Sequence, residues 1–295
     1  MAYYAAMETT DGKAIINASL ALANSHYENF PVASVLLPKR FREPIGLIYS
    51  FARQADDFAD EGDLNPATRL ELLDGFQQEL DRIDTGQLPA TPFFRELANL
   101  IRSWRLPVQL FRDLLDAFSQ DVVKARYENF DEVLDYCRRS ANPIGRLLLH
   151  LYGYATPENL KASDAICSAL QIINFQQDVA IDYRKNRIYF PLDEMRQFGI
   201  SETQIAEGDI TGNWQAFMQF EITRTKKMLQ SGAPLGLRLP GRIGLELRTM
   251  IAGGARILQK LEASNGDMFR HRPVLNSWDW AGMLTRALAR KDYHA

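Results

Sequence analysis

Cysteine is almost missing from this chain: Cys137 and Cys167 are the only two in 295 residues. One pair cannot build the disulfide framework of a small secreted domain, and neither residue has a C-x-x-C partner for zinc or redox work. Both fit buried apolar positions in a reducing compartment. Charge of one sign is also scarce. The net charge is −3 and the pI near 5.9, with no dense Lys/Arg tract interleaved with aromatics, so nucleic acid is not an expected partner. No stretch approaches about 18 uninterrupted apolar residues, which argues against a membrane span. Met1 to Glu8 contain no basic segment leading into a long apolar one, so no secretory leader is expected. The histidines at 26, 150, 271 and 294 have no zinc spacing, and there is no G-x-S-x-G elbow. Gly236, Gly241 and Gly244 fall in a Pro-containing loop and a helix start. That is not the strand, turn and helix of a dinucleotide fingerprint, so neither nicotinamide nor flavin is expected.

Alternating β-type segments are nearly absent too, while the 3.6-residue apolar period runs through the chain. The expected fold class is all-α. Proline marks the helix ends at Asn65-Pro66, Leu106-Pro107, Asn142-Pro143, Thr156-Pro157 and Leu239-Pro240-Gly241, among others. The pattern predicts helices near 12–27, 44–61, 66–84, 92–103, 107–123, 130–152, 157–184, 191–198, 201–207, 211–231, 241–263 and 276–290. With 46% hydrophobic residues the chain can bury a large core, and we read residues 1–295 as one domain, its core spanning about 15–285.

What the sequence does contain is two acidic clusters at helical spacing. One is Asp56-Asp57-Phe58-Ala59-Asp60-Glu61; the other runs from Gln171 through Asn174 and Asp178 to Asp182. Four residues advance a helix by about 400°, so Asp56 and Asp60 share a face about 6 Å apart along the axis, as do Asn174, Asp178 and Asp182. The flanking residues are apolar: Ala52, Ala55 and Ala59 in one segment, Ile172, Ile173, Phe175, Val179 and Ile181 in the other. Carboxylates in such surroundings need a partner or a cation. Hard oxygen donors without nearby Cys or His suit Mg²⁺, which is usually completed by substrate phosphates. A phosphorylated or diphosphorylated substrate is therefore implied. For both stripes to form one site, their helices must face each other across one cavity.

Tyr49 and Arg53 lie on the Asp56 and Asp60 face. Arg53 could hold a diphosphate oxygen, or simply form ordinary helix ion pairs with Asp56 and Asp57. Asp57 and Glu61 sit one position off the stripe, and Asn174 adds a neutral oxygen ligand. A third cluster, Asp182-Tyr183-Arg184-Lys185-Asn186-Arg187-Ile188-Tyr189-Phe190-Pro191, is rich in donors. Arg184 and Lys185 are explained by the dipole of a helix end, which explains Arg187 and Tyr189 less well; bidentate recognition of a phosphate would suit Arg187. His26, Tyr27 and Phe30 before Pro31 could cap a hydrophobic pocket, although core and turn roles are the plainer reading.

Ile48 through Glu61 resemble the first acidic motif of the squalene/phytoene synthase family, and Gln171 through Asp182 with Arg187-Ile188-Tyr189-Phe190-Pro191 resemble the second. Between them, Asp121 to Tyr127 and Tyr136 to Gly145 are similar to the family's central helices. The resemblance implies a class I isoprenoid synthase fold, a single helical bundle around a central apolar cavity. It implies ionisation of a prenyl diphosphate with roughly two or three Mg²⁺ ions bound alongside it. Carried over residue by residue, Asp56, Asp60, Asn174, Asp178 and Asp182 would be the catalytic and metal-binding set. His26, Phe30, Tyr49, Arg53, Tyr127, Gln171, Arg187 and Tyr189 would bind substrate.

Departures from the commonest pattern suggest a branch. Family members that join two farnesyl diphosphates often carry basic residues near Phe30 and an Arg just before Asp178. Here those places hold Glu28 and Gln177. A substrate with one diphosphate fits better, and the stretch His26 to Ser34 is similar to the branch that turns presqualene diphosphate and water into an alcohol. Two alternatives stay open: a condensing synthase using two farnesyl diphosphates, and a non-catalytic relative acting as an assembly factor. Tyr27, Glu28, Asn29 and Asn142 are the polar candidates for aiming water, and Phe30, Phe51 and Phe175 are candidates for the apolar wall. A cytoplasmic protein is expected. Leu275 to Leu284 could touch the inner membrane face, and transient contact with pathway enzymes is also open.

Overall fold

A computed structural model describes residues 12–25 and 38–289. The helices are α1 Gly12–Ser25, α2 Lys39–Asp60, α3 Pro66–Asp84, α4 Pro92–Trp104, α5 Val108–Val123, α6 Phe130–Ser140 and α7 Asn142–Tyr152. They continue as α8 Pro157–Arg184, α9 Leu192–Phe198, α10 Glu202–Glu207, α11 Trp214–Gly232, α12 Leu235–Arg238, α13 Gly241–Ala263 and α14 Ser277–Ala289. The fold is all-α. The one departure among the described residues is an isolated bridge between Tyr127 and Pro191.

Local chemistry explains most boundaries. Asn65 and Thr91 accept hydrogen bonds from the Thr68 and Phe94 amides, each followed by proline at the first helical position, so α3 and α4 start where predicted. Asn129 caps α6, which has Asp131 and Glu132 in its first turn and Arg138 and Arg139 in its last, matching the helix dipole at both ends. Two expectations need correction. Helix α2 begins at Lys39, five residues before Pro44, because proline near a helix start forfeits a single hydrogen bond and its φ already suits the helix. The predicted 130–152 helix is two: it stops at Ser140 and restarts at Asn142, since Pro143 offers no amide to continue the ladder.

The chain divides into two compact units, Met1–Val123 with Pro143–Thr156, and Lys124–Asn142 with Pro157–Ala295. In the first, α2 packs on α1, α3 and α5. Its core is a set of packed rings, with Phe51 edge-on to Phe94 and Phe111 at 6.1 and 5.2 Å and tilted against Phe76 at 5.6 Å. Phe51 is fully buried there, so it is a core residue and not the wall residue expected from sequence.

In the second unit α8 packs on α11, α13, α6 and α10. A buried polar stitch joins α8 to α11: Gln176 Nε2 donates to Thr225 Oγ1 at 2.9 Å, and that hydroxyl donates to the Glu221 carbonyl at 2.9 Å. Further along, the helices meet at Gly232. A Cβ there would lie 2.5 Å from the Ala162 carbonyl oxygen and 2.6 Å from Ile166 Cγ1. Gly232→Ala should therefore lower stability by about 1–3 kcal/mol despite the better helix propensity of alanine, measurable by urea denaturation. No described helix is long and apolar enough to cross a membrane.

Candidate active site

In the first unit, one face of α2 is sealed by Ile48, Phe51, Ala55 and Ala59. The opposite face carries Tyr49, Ala52, Arg53, Asp56, Asp57 and Asp60, none of them fully buried. Thus the first acidic stripe lies on the accessible side of its helix. Arg53 forks between two acids, Nη2 at 2.7 Å from Asp57 Oδ1 and Nη1 at 3.3 Å from Asp56 Oδ2. Asp57, set aside as off the stripe, is its nearer partner. Burial pushes the Asp56 carboxyl up to about 7; Arg53 opposes the shift, and Asp60, Asp121 of α5 and Asp57 add to it. Asp121 thus belongs to this cluster. Burial is the main cause of the shift, and the neighbouring acids add to it against the one guanidinium.

The end of α2 is closed by Arg69, which sequence reasoning missed. It donates to the carbonyls of Phe58 at 2.9 Å, Glu61 at 3.1 Å, Gly62 at 2.7 Å and Leu64 at 3.0 Å. A cation at that helix end compensates both the dipole and the acids beside it.

In the second unit, Ile172, Ile173, Phe175, Gln176, Gln177 and Val179 are buried, while Gln171, Asn174, Asp178 and Asp182 remain accessible along α8. Spacing placed Asn174, Asp178 and Asp182 on one face, and all three are accessible there. Arg272, 94 residues further along the chain, forms a two-point pair with Asp178, through Nε to Oδ1 and through Nη2 to Oδ2 at 3.1 Å. That hydrogen bond raises the Arg272 pKa, with Asp182 adding to the effect. Gln177 donates to the neighbouring Pro273 carbonyl. Its amide therefore ties down the strap that carries Arg272, and the second stripe is not short of a cation, as the missing Arg at 177 had suggested.

After Asp182 the chain turns back. The Arg187 amide donates to the Asp182 carbonyl at 2.8 Å, and Asn186 takes a left-handed φ of 60°. The Ile188 amide donates to Ala125 at 3.0 Å and the Leu192 amide to Tyr127 at 2.9 Å. As a result Tyr189 stacks on Phe175 at 3.7 Å with a 4° interplanar angle. Tyr127 lies 5.5 Å from Tyr189, and Tyr136 completes the group at 5.8 Å from both. The predicted Tyr127, Phe175 and Tyr189 thus form one aromatic cluster beside the stripe. Asn142 is buried and accepts a hydrogen bond from Ser168 Oγ at 2.9 Å. His26, Tyr27, Glu28, Asn29 and Phe30 lie outside the described residues.

Among the described residues, no three or more His, Cys, Asp and Glu side chains gather into a metal cage of their own. Mg²⁺ commonly takes one or two carboxylates and leaves the remaining positions to phosphate oxygens and water.

Residues 23–279 match the family model for squalene/phytoene synthase. A hydroxysqualene synthase of Rhodopseudomonas palustris is 38% identical over 237 residues, 80% of each chain. A 15-cis-phytoene synthase of Synechococcus elongatus is 28% identical over 279 residues, 89% of each. Among solved structures, squalene synthase HpnC of Alicyclobacillus acidocaldarius aligns with a TM-score of 0.78 at 33% identity, covering 85% of this chain and 94% of that one. A dehydrosqualene synthase aligns at 0.82 with 20% identity, covering 95% and 99%. On the family match and these relatives together, this chain belongs to the squalene/phytoene synthase family.

Proposed function

We propose that this protein is a hydroxysqualene synthase, a carbon–oxygen lyase that ionises presqualene diphosphate and adds water. The observation that carries this is the pair of accessible acidic stripes on α2 and α8, supported by relatives bearing that name at 33–38% identity over about four fifths of the chain.

The donor set fits Mg²⁺. It consists of carboxylate and amide oxygens, and Asp56, raised chiefly by burial and further by Asp60, Asp121 and Asp57, is a carboxylate whose charged form a divalent cation would favour. Asp56, Asp60, Asn174, Asp178 and Asp182 would hold it. Bound there, Mg²⁺ supplies the positive charge that neutralises the departing diphosphate.

The remaining work belongs to the chain's own side chains. Arg53 and Arg187 hold diphosphate oxygens, with Tyr49 and Gln171 beside them. The carbon–oxygen bond breaks and its electron pair leaves with the diphosphate. Tyr189, the one ring of the cluster that is only half-buried, stabilises the cyclopropylcarbinyl cation and its rearranged successors by ~0.5–2 kcal/mol, with Phe175 and Tyr127 packed around it. Water then bonds to one carbon and releases its proton to solvent. Asn142, held in place by Ser168, is the candidate among the described residues for aiming that water.

The solved relative described as a squalene synthase keeps head-to-head condensation as a second reading. Product analysis by mass spectrometry with Mg²⁺ and each diphosphate separately distinguishes them. Hydroxysqualene from presqualene diphosphate, with no product from farnesyl diphosphate alone, is expected. A condensed product from farnesyl diphosphate alone would overturn the assignment.

A further inference from the structure

The Arg126 side chain fastens the turn that follows the second acidic stripe, and we infer that Arg126 is a positioning residue, one that sets where Arg187 and Tyr189 meet the substrate. The inference rests on the diphosphate-ionising function proposed above.

Every N–H of the Arg126 guanidinium is committed. Nε donates to Glu202 Oε1 at 2.9 Å and Nη2 to Glu202 Oε2 at 2.8 Å. Nη2 also reaches Asn186 Oδ1 at 3.3 Å, and Nη1 donates to the carbonyls of Asn186 at 2.6 Å and Ala125 at 2.9 Å. A guanidinium offers five donors in a fixed plane, and here they join three chain segments: 125–126, the turn at 186, and α10 through Glu202. Lysine has no such fork.

The clamped residue, Asn186, is the one whose left-handed backbone reverses the chain. Two of the three residues that follow it are the groups that matter: Arg187, tied by its amide to the last turn of α8, and Tyr189, stacked on Phe175. The Ala125 carbonyl accepts from both Arg126 and the Ile188 amide, so the clamp and the returning chain share an anchor. A partly exposed Arg–Glu pair contributes little stability by itself. Its geometry, however, decides the direction in which Arg187 leaves the helix end.

The test combines hydrogen exchange on the free protein with kinetics on presqualene diphosphate. In Arg126→Gln, amides of 183–190 should exchange faster while those of α8 before Asp182 and of α11 keep their wild-type rates. Turnover should fall roughly 10- to 100-fold, chiefly in kcat. In an Arg187→Gln background the same substitution should cost little more, because both changes remove one shared effect. Arg126→Lys should fall between. Should Arg126→Gln not fold, Glu202→Gln keeps the guanidinium, frees one anchor, and should shift the same amides in the same direction. Unchanged exchange at 183–190, exchange raised equally throughout the unit, or an equal kinetic cost with and without Arg187 would each overturn the positioning role. Absence of turnover by the wild type would sink the functional reading instead, a result separate from any of these.

Discussion

Asp178→Asn is expected to slow diphosphate release from presqualene diphosphate by roughly 10²–10³-fold, the usual cost of removing one preorganised charge-stabilising group from an active site. Stability should change little, because the side chain it loses contact with, Arg272, is two-fifths exposed and such pairs are worth about 1 kcal/mol or less. Asp56→Asn should show the same loss of activity for a different local reason. Its carboxyl is raised to about 7, first by burial and then by Asp60 and Asp121 against the opposing Arg53, so the ionised form is disfavoured in the folded state. A neutral amide removes that repulsion. The variant should melt no lower than wild type at pH 8, yet be inactive. Steady-state turnover and thermal melts on the same samples check both. Wild-type turnover by both variants in Mg²⁺ would remove the acidic stripes from the mechanism.

The largest stability effect is expected at Asp279. This residue sits in the first turn of α14, its side chain only 3% exposed, between Arg256 Nε at 2.7 Å and Lys260 Nζ at 2.5 Å on α13. It also accepts the Asn276 amide at 2.9 Å. Burial pushes its carboxyl pKa up, but the Asn276 amide, Lys260 and Arg256 together outweigh that and hold it well below the usual carboxylate range. Asp279→Ala removes both ion pairs and the acceptor of the Asn276 amide, and should cost about 2–3 kcal/mol, less than a fully buried pair because Arg256 and Lys260 stay partly solvated. The pH dependence has a definite sign. A carboxyl depressed by folding contributes its full stability above its unfolded pKa of about 4 and loses it as pH falls below that value. Wild type should therefore lose the α13–α14 contribution between about pH 4 and lower pH, and Asp279→Ala should lack that part of the acid transition. Urea titrations at pH 7 and pH 3 read both numbers. Helix α14 docks through Asp279, Met283 and Ala287, leaving Trp278 87% exposed.

How far the sequence could be read depended on whether a feature repeats along one helix. Helices α3 and α8 have the predicted bounds because Asn65-Pro66 and Thr156-Pro157 mark their starts chemically. The stripes were legible because four-residue spacing is a property of one segment. Arg272 was not, since its partner Asp178 lies 94 residues away and nothing in either segment announces the pairing. Arg69 escaped for another reason: its acceptors are backbone carbonyls, which every residue carries, whereas Arg126 escaped because Asn186 and Glu202 lie 60 and 76 residues away. Gln177 shows the opposite hazard. Its identity was read as a missing cation, whereas its buried amide holds the strap that delivers one. Phe51 looked like a wall because it stands next to the stripe in sequence, but the helix turns it 180° or so away, into the rings of Phe76, Phe94 and Phe111.

The most direct measurement of the central claim is the fate of heavy oxygen when presqualene diphosphate is turned over in isotopically labelled water. Cation formation followed by capture predicts the label in the hydroxyl of hydroxysqualene and none in the released diphosphate. Label in the diphosphate would mean attack at phosphorus, and the reaction proposed for this protein would be wrong.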